Sequence, residues 1–279
     1  MRLVIWRSKA KLRQRKKISM TDKKQITAAM LIIGNEVLSG RTQDKNLAFV
    51  GNALGEIGID MKEVRIVPDE QDEIVDAVNA LRAKYTYVFT SGGIGPTHDD
   101  ITADCIAAAF GVSLDMHPLA TQLLEAHYEA QGIEFNAARA RMARIPDGAS
   151  LIDNPVSTAP GFRIGNVHVM AGVPKIMQAM MENILPTLEG GEKLSSVTIT
   201  AQVPEGSIAE AMEKLQGEHP DVSIGLYPFY GADGAGVSVV ARGRDVAALA
   251  EVEAAVKQQF TDMGMALIER PPPAEFLKG

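Results

Sequence analysis

The sequence predicts an α/β protein in which a mainly parallel sheet carries helices on both faces and a small α+β domain follows. Short apolar runs alternate with amphipathic helical patterns from residue 27 onwards, which is the order of β-α-β units. A turn at Glu189-Gly-Gly-Glu192 then separates this stretch from a shorter unit. The 279 residues, at ~100–200 residues per domain, fit one large and one small domain.

The first half of the large domain shows three strand-then-helix units. The strand segments are apolar or β-branched, and the helical segments repeat apolar residues every three or four positions. Strands are predicted at 28–33, 61–67 and 85–90, and helices at 47–57, 74–81 and 101–110. Asp44 and Thr42 are expected to cap the first of these helices.

The second half of the large domain is less regular. Residues 118–145 have two helical patterns separated by Gly132, and two short strands are predicted at 161–164 and 167–170. A methionine-rich apolar stripe from Ile176 to Leu185 then predicts a further helix packed on the core.

The small unit is predicted to have the order β-α-β-β-α. Its strands are expected at 197–203, 222–227 and 237–242, and its helices at 207–215 and 246–263. Tyr227-Pro-Phe-Tyr230 is interpreted as a hairpin turn. The predicted domains are therefore 25–190 and 195–269, with tails at 1–24 and 270–279.

Composition excludes several functional classes. The single Cys105 excludes an internal disulfide framework and fits a reducing compartment, so a cytoplasmic protein is expected. No paired cysteines or His-Glu-x-x-His motif indicates a zinc site. No apolar run reaches the ~18 residues of a membrane span, so no membrane partner is expected.

The net charge of −7 is unevenly distributed. Residues 1–19 carry eight Lys or Arg and no acid, which leaves 20 basic and 35 acidic residues, a balance of −15, in the remainder. An acidic body argues against nucleic-acid binding. The basic segment is interpreted as sequence upstream of a true start at Met20, or else as a disordered, targeting or membrane-surface arm.

Acidic residues follow the first three predicted strands. The segments after these strands are Gly34-Asn-Glu36, Pro68-Asp-Glu70 and Ser91-Gly-Gly-Ile-Gly-Pro-Thr-His-Asp-Asp100. Ligands bind outside the carboxyl ends of strands in an open α/β sheet, and parallel strands bring these ends to one edge. We therefore expect the acids to converge.

The segment from Ser91 to Gly95 has the composition of a phosphate-binding loop. Glycines let the backbone approach an anion and turn consecutive N–H groups towards it, and a helix N-terminus follows. No lysine follows, so this is not a P-loop. The alternative is a tight turn in which Asp99 or Asp100 caps the next helix. The candidate substrate-binding residues here are Ser91, Gly92, Gly93, Gly95, Thr97 and Thr102.

A loop that binds phosphate without its own cation suggests a metal. Glu36, Asp69, Asp99 and Asp100 offer oxygen ligands that suit Mg²⁺ or Mn²⁺. The alternative for Glu36 and Asp69 is that each is a solvated loop acid. His98 either touches phosphate or only decorates the loop.

Four motifs together resemble the molybdopterin-binding domain superfamily. The similarity covers roughly residues 27–188 and is greatest to its competence/damage-inducible protein A branch, with a further similarity to the amino-terminal domain of eukaryotic FAD synthase. The small domain resembles the KH-like module that follows in that branch, although it has no Gly-x-x-Gly clamp. The four motifs are Gly34–Asn46, Val67–Glu70, Gly92–Thr102 and Asn154–Gly161.

The resemblance implies a three-layer α/β/α sandwich and particular site residues. It implies Asp69 and Asp100 as the functional acidic pair, with Glu36 and Asp99 beside them as metal ligands. Asn154 and Thr158 lie in a segment that is turn-forming by composition, and we also expect them to contact substrate. Where the branch usually has Pro-Gly-x-Pro-x-Glu-Met, this chain has Ala171-Gly-Val-Pro-Lys-Ile-Met177, so the acid of that motif is lost.

The resemblance also implies two possible reactions. One is metal-dependent hydrolysis of a nucleotide diphosphate such as ADP-ribose or FAD, with Mg²⁺, Mn²⁺ or Co²⁺. The other is adenylyl transfer to molybdopterin. A third interpretation is a pterin or nucleotide sensor without catalysis. The expected partner is a nucleotide diphosphate or a pterin, and an apolar strand edge in the small domain favours a homo-oligomer.

Overall fold

The computed structural model describes residues 25–231 and 234–268. The described chain contains a six-stranded sheet with helices on both faces, a two-stranded ribbon, and a three-stranded sheet with two helices. The predicted tails, 1–24 and 270–279, lie outside the described residues. Among the described helices, none combines the length and the apolar character needed to span a bilayer.

The larger part of the chain contains eight strands and seven α-helices within its described residues. The strands are β1 (Thr27–Ile33), β2 (Asp60–Val67), β3 (Tyr87–Ser91), β4 (Leu114–Met116), β5 (Arg144–Pro146), β6 (Ser150–Ile152), β7 (Gly161–Ile164) and β8 (Val167–Met170). The helices are α1 (Asn35–Leu38), α2 (Asn46–Glu56), α3 (Gln71–Lys84), α4 (Thr102–Phe110), α5 (Pro118–Ala130), α6 (Ala137–Ala140) and α7 (Pro174–Ile184).

The six-stranded sheet is mainly parallel, as predicted. Its order is β2-β1-β3-β8-β7-β6, in which the first four strands run parallel and the last two join antiparallel. The carboxyl ends of β1, β3 and β8 therefore lie side by side. This neighbourhood is where an open α/β sheet binds ligands.

Each face of the sheet has its own core, which confirms the three-layer α/β/α sandwich. Residues such as Leu31 and Val169 pack under α3, α4 and α5 on one face. Met30 and Phe89 pack under α2 and α7 on the other, together with Met177, Met180 and Met181. The methionines of α7 are thus core residues, as their spacing predicts.

Several local predictions need correction. The second helix predicted within 118–145 is a single turn, α6, because the chain leaves helical geometry at Gly132 (φ 66°) and enters β5 at Arg144. Three-residue strands such as β4 and β6 are too short to produce a readable alternation. Asp44 does cap α2, accepting hydrogen bonds from Asn46 N and Leu47 N, at 3.4 and 2.9 Å.

The smaller part has the predicted order β-α-β-β-α. Its elements are β9 (Ser195–Ala201), α8 (Ala209–Glu218), β10 (Ser223–Gly231), β11 (Gly234–Gly243) and α9 (Val246–Asp262), with the strands ordered β10-β11-β9. The interpretation of Tyr227–Tyr230 as a turn is wrong, because β10 runs through it. Pro228 is compatible with this strand because β10 lies at a sheet edge.

A salt bridge connects the two parts. Arg244 Nη2 lies 2.7 Å from Asp60 Oδ1 at the start of β2, and Arg244 Nε donates to Glu192 O at 3.0 Å. Burial opposes ionisation of Asp60, but hydrogen bonds from Arg244 and Gln25 leave the pKa of this carboxyl below its usual range.

His168 is a polar residue inside the apolar face of β8. It is 1 % exposed, and its ring stacks on Phe89 with centroids 5.1 Å apart. Burial, and then the nearby charge of Arg163, lower the pKa of His168 from 6.5 to about 4. Between pH 6.5 and about pH 4, His168 therefore stays neutral in the folded protein and is protonated in the unfolded chain.

Acid is expected to destabilise the protein through His168. The unfolded state binds the extra proton between pH 6.5 and about pH 4, so stability falls over this window and this group causes no further loss below it. The loss is about 3 kcal/mol at 1.36 kcal/mol per pH unit. Urea unfolding midpoints, measured across this window in phosphate-free buffer, should fall less for His168→Gln. An equal fall in both proteins would contradict the assignment.

Candidate functional site

A cavity of about 570 Å³ opens at the carboxyl ends of β1, β3 and β8. Its size is typical of sites for small molecules and cofactors. The glycine loop, α1, the start of α7 and the loop after β6 enclose it. The residues that line it are Glu36, Thr42, Gly92, Gly93, Ile94, Gly95, Pro96, Asp100, Tyr128, Met142, Asn154, Ser157, Ala159, Ala171, Gly172, Val173, Pro174 and Ile176.

The glycine loop requires its glycines for two physical reasons. Gly92 and Gly93 have φ values of 113° and 67°, which side chains disfavour. A Cβ on Gly92 would lie 2.1 Å from Ile33 O, and one on Gly93 would lie 2.2 Å from Thr102 Oγ1. The loop backbone therefore sits directly against β1 and α4, and both glycines still face the cavity.

Ser91 and Thr102 support the loop from behind. Ser91 Oγ accepts a hydrogen bond from Asn46 Nδ2 at 2.7 Å, and Asn46 Nδ2 also donates to Gly172 O at 2.8 Å. Thr102 is fully buried, and its hydroxyl donates to Gly92 O at 3.0 Å. Neither residue lines the cavity. Both side chains position the loop, and their contact with substrate stays a prediction.

Thr97, Asp99 and Asp100 form a tight network beyond the glycines. Asp100 Oδ2 accepts from Thr97 N at 2.8 Å. The single proton of the Thr97 hydroxyl is shared between Asp100 Oδ2, which lies 2.6 Å from Oγ1, and Asp99 Oδ1. The bond from Thr97 helps to hold the pKa of Asp99 below its ordinary range. Of the three residues, only Asp100 lines the cavity.

The acids near α4 are not helix caps. Ile101 occupies the N-cap position of α4, without a side-chain cap, and the first helical residue is Thr102. The Asp100 carboxylate is bonded to the loop before the helix, and its backbone carbonyl accepts from Arg141 Nη2 at 3.3 Å. The alternative in which Asp99 or Asp100 is an ordinary N-cap is therefore wrong.

Glu36 and Asp69 take different positions at the other strand ends. Glu36 lies on α1, lines the cavity, and its carboxylate packs against the Gly34 backbone. Asp69 does not line the cavity, and its Oδ2 accepts from Asn35 N at 2.9 Å. Asp69 thus anchors the turn that carries Glu36.

The loop after β6 closes the far side of the cavity. Asn154 is buried: its amide donates to Ser157 Oγ and Ala159 O, and its oxygen accepts from Val156 N and Ser157 N. Thr158 has a φ of 66°, and its hydroxyl lies 2.9 Å from His127 Nδ1. Asn154 lines the cavity and Thr158 does not.

An apolar wall that the sequence did not reveal completes the cavity. It consists of Tyr128, Met142 and Ile176. Phe135 stacks at 6.0 Å from the Tyr128 ring centroid, and the Arg139 guanidinium carbon lies 5.0 Å from it. A helical pattern predicts Tyr128 on α5, but nothing in the sequence indicates which side chains of α5 reach the site.

The charges of the cavity lining are one-sided. Glu36 and Asp100 are its acids, and its described lining includes no Lys, Arg or His. Ile176, which stands where the family pattern has its glutamate, lines the cavity, and the neighbouring Lys175 does not. The described residues contain no group of three or more His, Cys, Asp or Glu side chains placed to hold a metal ion. Glu36, Asp99 and Asp100 are thus not assembled into a complete ligand set.

Two protein-family models match the chain. A model described as "Probable molybdopterin binding domain" matches residues 29–190, and one described as "FAD synthase, middle domain" matches residues 193–267. The two matches meet near Glu189–Glu192.

Individual proteins show the same similarity. A protein of Aeropyrum pernix is 35% identical over 210 residues, covering 72% of this chain and 78% of that protein. A CinA-like protein of Desulfosudis oleivorans is 33% identical over 210 residues, covering 71% of this chain and 51% of that protein. The crystal structure of CinA from Thermoplasma acidophilum, a protein described as of unknown function, is 34% identical with a TM-score of 0.54, covering 58% of this chain and 96% of that one.

Proposed function

We propose that this chain hydrolyses a nucleotide diphosphate such as ADP-ribose or FAD. The premise is that the chain belongs to the family of probable molybdopterin binding domains and carries a FAD synthase middle domain. The observation that carries this proposal is the cavity itself. Its lining combines the glycine backbone of the loop with the two carboxylates of Glu36 and Asp100 and with an apolar wall.

The glycine loop is suited to hold the diphosphate. Gly92 N–H already donates to Met170 O at 3.2 Å. Gly93 and Gly95 also line the cavity, and their N–H groups have no acceptor among the described residues, so these groups are available to phosphate oxygens. The N-terminus of α4 adds a partial positive charge close by. Ser91, Asn46 and Thr102 hold this backbone in place, which keeps the cradle preformed.

A divalent cation fits the acids of the cavity when it arrives with the substrate. Mg²⁺ is commonly bound through one or two carboxylates plus phosphate oxygens and water, and Glu36 and Asp100 supply two carboxylates. Two carboxylates facing a diphosphate, with no basic side chain in the lining, would otherwise repel it. The ion, Mg²⁺, Mn²⁺ or Co²⁺, would supply Lewis-acid stabilisation of developing phosphate charge.

The chain's own residues have distinct roles in this proposal. Asp100, fixed by the Thr97 N–H and by the Thr97 hydroxyl that it shares with Asp99, would hold the ion and orient the attacking water. Glu36 would supply the second carboxylate to the ion, and Asp69 is a positioning residue that anchors α1 through Asn35. Water adds to one phosphorus, the bond to the bridging oxygen breaks, and two phosphomonoesters leave.

The test is a panel of substrates and metals with the purified full chain. ADP-ribose and FAD would each be incubated with Mg²⁺, Mn²⁺ or Co²⁺, and AMP would be measured by chromatography. AMP with ribose 5-phosphate, or AMP with FMN, is the expected pair of products. A folded protein that turns over neither substrate with any of the metals would overturn the proposal.

Replacing Tyr128 by Ala is expected to raise KM about tenfold, which is about 1.4 kcal/mol of binding. The reason is loss of a rigid wall, held by Phe135 and Arg139, against which the planar ring system of the substrate would pack. Steady-state kinetics should show kcat nearly unchanged, because Tyr128 belongs to the apolar wall and has no role in holding the diphosphate in this proposal. Tyr128→Phe is the matched control and should retain the parental KM. An unchanged KM in Tyr128→Ala would show that the Tyr128 ring does not contact the substrate.

Adenylyl transfer to molybdopterin is the second candidate function. The observation that favours it is the match of residues 29–190 to a family model named for molybdopterin binding. The same cradle and acids would serve both reactions. A deletion strain with normal nitrate reduction would count against this function, while hydrolysis without any pterin acceptor would favour the first.

A further inference from the structure

A second cavity, of about 290 Å³, lies away from the site described above. It is bounded by β6, β7 and β8 of the sheet and by the carboxyl end of α7 with the 3₁₀ turn after it. Its lining and that of the larger cavity share no residue. The polar side chains that line it are Ser150, Asp153, Arg163, His168, Asn183 and Thr187.

Three of these side chains form a row across neighbouring strands. Ser150 on β6 is paired with Arg163 on β7, and Arg163 is paired with His168 on β8. Directly paired residues of antiparallel strands project from the same face of the sheet. The three polar groups therefore lie next to one another under the end of α7.

No described group hydrogen-bonds either ring nitrogen of His168 with normal geometry, although backbone groups of Val88 and Asn166 raise its pKa against the larger effect of burial. The residue is 1 % exposed and lines the cavity. Leaving a buried polar group unpaired costs about 1–3 kcal/mol. Such a group in a native protein calls for an explanation, and a water or an ion bound in the cavity would satisfy it.

Arg163 places a positive charge in the lining of the same cavity. Its Nε donates to Gly165 O at 3.1 Å, and its guanidinium makes no ion pair with any carboxylate among residues 25–231 and 234–268. Asp153 also lines the cavity, but its carboxylate forms no salt bridge with Arg163. The charge of Arg163 is felt at His168, whose pKa it lowers in addition to the effect of burial.

We propose that this second cavity binds a small oxyanion, a phosphate or carboxylate group, between Arg163 and His168. An oxyanion accepts hydrogen bonds from the planar fork of an arginine and from the N–H of a neutral imidazole. It would give His168 its missing partner and offset the charge of Arg163. Ser150 also lines the cavity, and its hydroxyl can bond a remaining oxygen, whereas the Thr187 hydroxyl and the Asn183 amide already donate to Ile184 O and Asp153 O.

The test is a titration of the histidine rings of the full chain by NMR, with His168→Gln used to assign the resonance. The probes are inorganic phosphate and formate, each compared with chloride at equal ionic strength, because both are largely ionised where the ring titrates. Either probe is expected to raise the pKa of His168 by about one pH unit or more, as an opposite charge within ~4–6 Å does. A response to phosphate alone indicates a phosphate ligand, and a response to formate indicates a carboxylate.

Two variants make the result specific. Arg163→Gln removes the proposed anion partner from an exposed strand position and should abolish the rise in pKa. Arg242→Gln removes the same charge from an exposed position of β11 and should leave the rise intact. No response to either probe, or an equal response in Arg163→Gln, would overturn the proposal. Because the His168 ring reports on this cavity alone, anion binding at the glycine loop does not affect the outcome.

Discussion

Replacing Asp100 by Asn is expected to lower kcat/KM for diphosphate hydrolysis by about 10²–10⁴-fold, the range observed when a positioned acid or base is lost. The carboxylate lines the cavity and is oriented by Thr97 N and Thr97 Oγ1. An amide keeps an oxygen for the Thr97 N–H but loses the charge that a cation or an attacking water needs. Steady-state kinetics at saturating metal would measure the effect.

The stability of the same variant separates chemistry from folding. Asp100 caps no helix, since Ile101 is at the N-cap position of α4, so the ~1 kcal/mol loss typical of a removed cap is not expected. Asp115→Asn, an exposed carboxylate on β4, is the matched control and should keep full activity. Equal activity of Asp100→Asn and the parent protein would show that Asp100 has no role in the reaction.

Replacing Gly92 by Ala is expected to destabilise the protein by about 3 kcal/mol or more, among the largest effects of single substitutions. The φ of 113° is unfavourable for alanine, and the new Cβ would lie 2.1 Å from Ile33 O. That atom belongs to the backbone of β1, so it cannot move without disturbing the central sheet. Urea unfolding would give the free energy change, and substrate binding should weaken with the displaced cradle.

Gly148→Ala distinguishes the two causes of this loss. Gly148 has a φ of 77°, but no atom lies within 4 Å of the position its Cβ would occupy. Only the backbone penalty of roughly 1–2 kcal/mol is expected there. If the two variants lose the same stability, the contact with Ile33 does not constrain the loop.

The family and the large-scale fold were predictable from the sequence. The resemblance to the molybdopterin-binding superfamily and its competence/damage-inducible branch is confirmed by the family model and by the CinA relatives. Strands β7 and β8 have the predicted bounds, and the order of the small domain is correct. Apolar periodicity and glycine spacing are local properties, which is why they could be read without coordinates.

The division of the site residues into lining and support was not predictable. Ser91 and Thr102 belong to the phosphate-loop segment, but their side chains bond Asn46 and Gly92 O behind the cavity. Asp69 follows a strand as Glu36 does, but it bonds Asn35 N and does not line the cavity. The direction of each side chain depends on the elements packed behind it, and these are distant in sequence.

The sequence by itself determined that a glycine loop and acids follow predicted parallel strands. The order of the elements along the chain and the chemistry of their turns can both be read from local residues. Only the tertiary structure decided that Tyr128 on α5 completes the cavity and that Arg163 and His168 meet under α7. Both arrangements arise where separate elements pack together. Packing of this kind is set by long-range contacts, which no local pattern of residues records.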